Sequence, residues 1–250
     1  MQPYIPLKTS GEVACIRKSC RIAVETLKRL EGFIKPGVTT GELDRIASAF
    51  IRKRGAAPAI DDHFPGSICT SVNQVAAHGI PSKYRLEEGD LLTVDVAVLL
   101  DGWCGDAAAG FLVGDGDPEF RRLYKAARRA VEAGVKAVKT GARLGDIGAA
   151  VMREAKLAGC RVIADCVGHG IGRDLHEEPE VSCVGEKGAG LQIVPGMVIT
   201  VEPALSLGSG LIEVADDGWA LITRDNSPVA QFEHTAAVFR DHTEILTSTD

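Results

Sequence analysis

The chain repeats itself. Two helices and a strand occur twice, in the same order and at nearly the same interval, and that restricts the fold more than any other feature. In the first copy Ile16, Cys20, Val24, Leu27 and Ile34 keep helical spacing, and Lys35-Pro36-Gly37 stops the helix. Thr39 and Glu42 form a capping box, in which each side chain satisfies a backbone donor left over by the first turn. Leu43, Ile46, Ala47 and Phe50 carry a second helix to Gly55. In the second copy Asp117-Pro118 supplies a cap and an N1 proline ahead of Phe120, Leu123 and Ala127. Lys139-Thr140-Gly141 interrupts, and Ile147 and Val151 lead to Gly159. Gly141 and Gly159 lie 104 positions after Gly37 and Gly55. The strand pattern at 89–95, ending in Asp95, returns 107 positions later at 196–202, ending in Glu202. His-Gly-Ile precedes each, at His78 and at His169. Two copies of so long a unit do not make a solenoid. The expectation is an α+β fold of two halves, roughly 10–113 and 117–240, packed about a pseudo-twofold axis as a single domain over 1–250.

Composition removes several function classes. With 28 Lys+Arg against 34 Asp+Glu the formal charge is −6, whereas nucleic-acid binding needs basic surface to displace counterions. No apolar run approaches the roughly 20 residues of a membrane span, and residues 1–10 hold no apolar signal segment. The seven cysteines are odd in number and form no CxxC pair, which reads as reduced thiols in a cytoplasm. Neither a GxSxG elbow nor an HExxH helix is present. The run Gly168-His169-Gly170-Ile171-Gly172 lacks the context of a phosphate-binding loop.

Carboxylates carry the chemical signal. Asp101-Gly102 is a two-residue hairpin turn. Pairing across it sets Leu100 opposite Trp103 and Ala97 opposite Asp106. Asp95 shares a strand face with Ala97, so Asp95 and Asp106 become diagonal neighbours. Twofold symmetry then puts Glu202 opposite Asp95, and Glu233, in the β-rich run 229–239, is the candidate to face Asp106. Each of these acids taken alone reads as a cap or a solvated residue; Asp95 and Glu202 at equivalent places of a duplication do not. Four buried carboxylates demand compensation, and few Lys or Arg stand near the motifs. Two divalent cations would neutralise them, with His169 adding one nitrogen. An oxygen-rich set with one imidazole suits Mn, Fe, Co or Zn.

The pieces Asn73-Gln74-Val75-Ala76-Ala77-His78-Gly79-Ile80-Pro81, Gly168-His169-Gly170-Ile171-Gly172-Arg173, His176-Glu177-Glu178-Pro179, Val201-Glu202-Pro203 and Ala230-Gln231-Phe232-Glu233-His234-Thr235, with Asp95 and Asp106 flanking Asp101-Gly102, together resemble a methionine aminopeptidase of type I, in the short bacterial form. The resemblance spans nearly the whole chain. It implies the pita-bread (creatinase/aminopeptidase) fold, with a curved antiparallel sheet and outer helices. It implies a dinuclear centre held by Asp95, Asp106, His169, Glu202 and Glu233, with Asp106 and Glu233 bridging. It also implies hydrolysis by activated water, with Glu202 as proton acceptor, His176 at the carbonyl and His78 at the scissile nitrogen. The expected substrates are nascent chains with a small second residue. A transient contact with the ribosome and a monomeric state are expected; nucleic acid and membrane are not expected partners.

The departures fall in the methionine pocket. Phe64, Cys69 and Trp219 keep places the family fills with aromatic and sulfur residues. Pro58, Asp61 and Leu175 stand where a cysteine, a tyrosine and a phenylalanine are usual, and Ala97 and Ala107 replace common hydroxyl residues. Two alternatives follow. One is a divergent aminopeptidase of the same fold with altered specificity, Xaa-Pro cleavage included; the other is a non-catalytic binding protein.

Overall fold

The computed structural model describes residues 4–60 and 63–248. Among the described residues four helices form where the patterning expects them: α1 (Ser10–Glu31), α2 (Thr40–Lys53), α3 (Pro118–Ala137) and α4 (Leu144–Leu157). Thr39 and Glu42 close the capping box on α2, and the Asp117 side chain caps α3 at the Glu119 N–H. A second capping box, Thr9 with Glu12, starts α1 earlier than its apolar periodicity suggests. The equivalent glycines also share backbone geometry: Gly37 and Gly141 have φ of 90° and 88°, Gly89 and Gly196 of 92° and 94°.

Among the described residues the strand pairs are antiparallel and fall into four small sheets, one of them five-stranded. The long hairpin Leu91–Leu100 with Trp103–Leu112 pairs Leu100 with Trp103 and Ala97 with Asp106, the register expected from its turn. Asp101 and Gly102 both take positive φ, 51° and 74°, as a type I′ turn requires. Alternation then divides the hairpin. Leu92, Val94, Val96 and Val98 enter a core shared with α1 and α2, while Asp95 and Ala97 face the opposite way, into a cleft. Gly105 is where α1 comes closest, since a methyl there would run into the backbone of Ser19 and Cys20.

The second half builds the matching pair from four shorter pieces. Val198–Val201 pairs with His234–Val238, and Ala204–Ser206 with Val229–Gln231. Val201 faces His234 and Ala204 faces Gln231, so Glu202 and Glu233 oppose each other where both strands are interrupted. The halves meet along strand edges. Thr235 Oγ1 donates to Asp106 O at 2.7 Å, and Glu233 N donates to Ala108 O at 2.9 Å. α3 and α4 cover the second half, burying Leu123, Ala127, Ala130 and Val151 against Leu205 and Ala230.

Candidate metal centre

Asp95, Asp106, His169, Glu202 and Glu233 line one cleft of about 1060 Å³. Asp95 and Asp106 come from the long hairpin, Glu202 and Glu233 from the paired interruptions, and His169 from strand Val167–Gly170. Asp106, His169 and Glu233 each offer a ligand atom within 4.8 Å of the others. His169 Nε2 lies 3.6 Å from Glu202 Oε1 and 3.8 Å from Asp106 Oδ2. The His169 Nδ1 stands 3.0 Å from Gly170 O. A carbonyl oxygen only accepts, so that nitrogen carries the proton and the Nε2 lone pair is left for a cation among the acids.

This concentration of charge is out of balance without cations. Asp106 Oδ1 and Glu233 Oε1 are buried with no hydrogen-bond partner, a costly state for carboxylate oxygens. Burial pushes Asp106 up to about 7, with the Glu202 charge adding to it. Burial, then the Asp95 charge, pushes Glu202 up to about 8. Asp95 and Glu233 are likewise held well above the carboxylate range by burial, then by Asp106. Burial drives His169 down to about 4, keeping it neutral. Acids that resist ionising, two orphaned oxygens and a neutral imidazole suit divalent cations.

The cleft walls combine apolar and histidine side chains. Phe64 and Trp219 meet edge to face, 5.4 Å between centroids, and Cys69 pairs with Asp95 and so shares its face. Leu175, His78 and His176 also line the cleft. The His176 ring lies 4.4 Å from that of His169, nearly perpendicular. Burial lowers the pKa of both His78 and His176. Pro58 requires a correction: it pairs with Val98 and so shares the helix-side face, while Ala59, bonded to Ala97 O, and Ile60 line the cleft in its place. Ala107 packs in the helix-side core, whereas Ala97 lines the cleft. Asp61 lies outside the described residues.

Sequence reasoning missed the groups that orient Glu202. Thr200 Oγ1 donates to Glu202 Oε1 at 3.0 Å, and Gln231 Nε2 donates to Oε2 at 3.2 Å. Thr200 also accepts the His169 N–H at 2.9 Å. A signal for it exists, since Thr-Val-acid recurs at the equivalent place of both copies, as Thr93-Val94-Asp95 and Thr200-Val201-Glu202. No comparable signal marks Gln231.

The model of metallopeptidase family M24 matches residues 14–239. The methionine aminopeptidase of Clostridium acetobutylicum is 41% identical over 246 residues, covering 97% of this chain and 98% of that protein. Methionine aminopeptidase A of Synechocystis is 41% identical over 250 residues, covering 99% of each. The crystal structure of methionine aminopeptidase from Rickettsia prowazekii superposes with a TM-score of 0.96 at 40% identity, covering 98% of this chain and 100% of that one. Prolidase from Pyrococcus furiosus shares the fold, with a TM-score of 0.79 at 24% identity, and this chain covers 66% of it.

Proposed function

Since the chain belongs to metallopeptidase family M24, and within it to the methionine aminopeptidases, we propose that its cleft removes N-terminal methionine with two divalent cations held by Asp95, Asp106, His169, Glu202 and Glu233. The pita-bread fold is that of the family. One observation carries the ligand set: four carboxylates and an imidazole converge on one cleft floor, with two buried carboxylate oxygens left without a partner. The prolidase alternative has only the fold in its favour.

Divalent cations held by these residues would supply Lewis acidity, polarising a carbonyl and making water more acidic. The chain's own residues do the rest. Glu202, its two oxygens fixed by Thr200 and Gln231, accepts the proton of the attacking water and passes it towards the leaving amine. His176, neutral near pH 7 because burial lowers its pKa, donates an N–H to the scissile carbonyl oxygen as charge develops there. His78, lowered for the same reason, hydrogen-bonds the scissile nitrogen. The edge-to-face pair Phe64–Trp219, with Cys69 and Leu175, encloses the methionine side chain, whose sulfur is favoured against ring edges. Two cations and four carboxylates balance to zero, so the site does not repel a free amino terminus.

The physiological substrates on this reading are nascent chains with a small second residue, handled in the cytoplasm by a monomer in transient contact with the ribosome. Among the described residues no helix is long and apolar enough to cross a membrane. The deciding assay is release of methionine from Met-Ala-Ser by protein reconstituted with Mn²⁺ or Co²⁺. Release is expected, with a loss of about 100-fold or more in Glu202→Ala. Two bound ions with no release would overturn the reading and favour a binding role.

A further inference from the structure

His176 lies on the connection between strands Val167–Gly170 and Glu177–Ser182, and it is only partly covered. Packing alone does not fix such a ring. Three contacts hold its loop instead. Arg173 Nη1 donates to Gly102 O at 3.1 Å, with the guanidinium 3.9 Å from the Trp103 ring centre. Cys104 N donates to Gly172 O at 2.8 Å. The third contact is a buried ion pair between Lys8 Nζ and Glu177 Oε2, whose side chains are only 6% and 7% exposed.

The pair divides the work of one carboxylate. Lys8 takes Oε2, and Oε1 accepts the backbone N–H of Arg173 at 2.8 Å and of Asp174 at 3.4 Å. The turn just before His176 is thereby tied to a lysine some 170 residues away in the sequence. The lysine is anchored in turn: its N–H donates to Gly196 O at 2.7 Å, and Nζ donates to Pro6 O at 2.8 Å. Gly172 makes room for the pair, because a methyl there would run into Lys8 Cε and Glu177 Oε1.

Stability is a weak reason for such a pair, since burying two charges costs about as much as their attraction returns. Its geometric effect is specific. We propose that Lys8 is a positioning residue for methionine release: acting through Glu177, it sets the loop so that His176 stands beside His169 and faces the substrate. This rests on the role given to His176 above.

The test compares Lys8→Met with wild type, each alone and in a His176→Ala background, with kcat and KM measured separately on Met-Ala-Ser. Lys8→Met is expected to lower kcat about ten-fold with KM within about two-fold. In the His176→Ala background its further effect on kcat is expected to stay below about two-fold, because the residue it positions is gone. Glu177→Gln should reproduce the pattern and serves if Lys8→Met folds poorly. In ¹⁵N-histidine-labelled protein the His176 ring signals should shift on Lys8→Met, whether or not methionine is released. Equal loss of kcat in both backgrounds, or unmoved His176 signals, would overturn the proposal. Shifted signals in a protein that releases no methionine would leave Lys8 as the loop's anchor and remove the aminopeptidase reading instead.

Discussion

At the scale of single residues the cleft floor is built for function at the expense of stability. Asp106 and Glu202 have pKa values near 7 and 8 in the folded chain without cations, against about 4 in an unfolded one. These two acids therefore bind more protons in the folded state than in the unfolded one between about pH 4 and 8, and linkage makes their contribution to stability fall as pH rises through that range; the lowered His169 opposes it only below about pH 6.5. Chelated protein is expected to melt at a lower temperature at pH 8.5 than at pH 5.5, and added Mn²⁺ should raise the melting temperature more at pH 8.5. A chelated melting temperature that is flat or rising over that interval would count against this account. The same logic predicts that Glu233→Gln, which replaces a buried acid that resists ionising with a neutral amide of nearly the same shape, stabilises the chelated protein at pH 8.5 while weakening the cation-induced shift; paired melts with and without Mn²⁺ read both effects. Thr200→Val keeps the shape but withdraws the hydroxyl from Glu202 and His169. It is expected to lower kcat or metal affinity by about 10- to 100-fold, measured by methionine release and by metal titration.

At the scale of elements, legibility follows how local each signal is. The hairpin register can be read from sequence because Asp101-Gly102 takes a turn that admits one pairing, and all ten pairs then follow. The α2 boundary can be read because Thr39 and Glu42 lie within one turn of each other. Thr39→Ala should therefore destabilise the protein by about 1 kcal/mol, seen as a shifted denaturant midpoint at unchanged slope. Long-range events leave weaker traces. The interruption that sets Glu202 opposite Glu233 depends on two strands meeting across about 30 residues. In the first half Asp95 pairs with Ala108 and Asp106 with Ala97, so symmetry alone suggests a diagonal arrangement where the second half has a direct one. Pro58 misleads for a related reason: placing it in the cleft depends on which face of a two-residue strand it occupies, and only the pairing with Val98 settles that. Lys8 and Glu177 carry no sequence mark of their contact at all.

At the scale of the whole molecule, the proposed ligands come from both halves, Asp95 and Asp106 from one and His169, Glu202 and Glu233 from the other. Cations bound there would hold the halves together, so free metal at about 1,000 times its dissociation constant should add about 4 kcal/mol to global stability. Chemical denaturation at fixed free Mn²⁺ measures this; a gain confined to one half, seen by hydrogen exchange as protection in only one set of strands, would contradict it. The duplication has another consequence. An assembly of two identical subunits must present the same side chains on both sides of its axis, and every mutation strikes twice. Two copies in one chain escape that rule. Aspartate stands at one of two equivalent positions and glutamate at the other, and one His-Gly-Ile places its histidine beside the acids while the other puts His78, with a φ of 54°, in the cleft wall. Two similar halves in one chain can thereby put one motif to two uses.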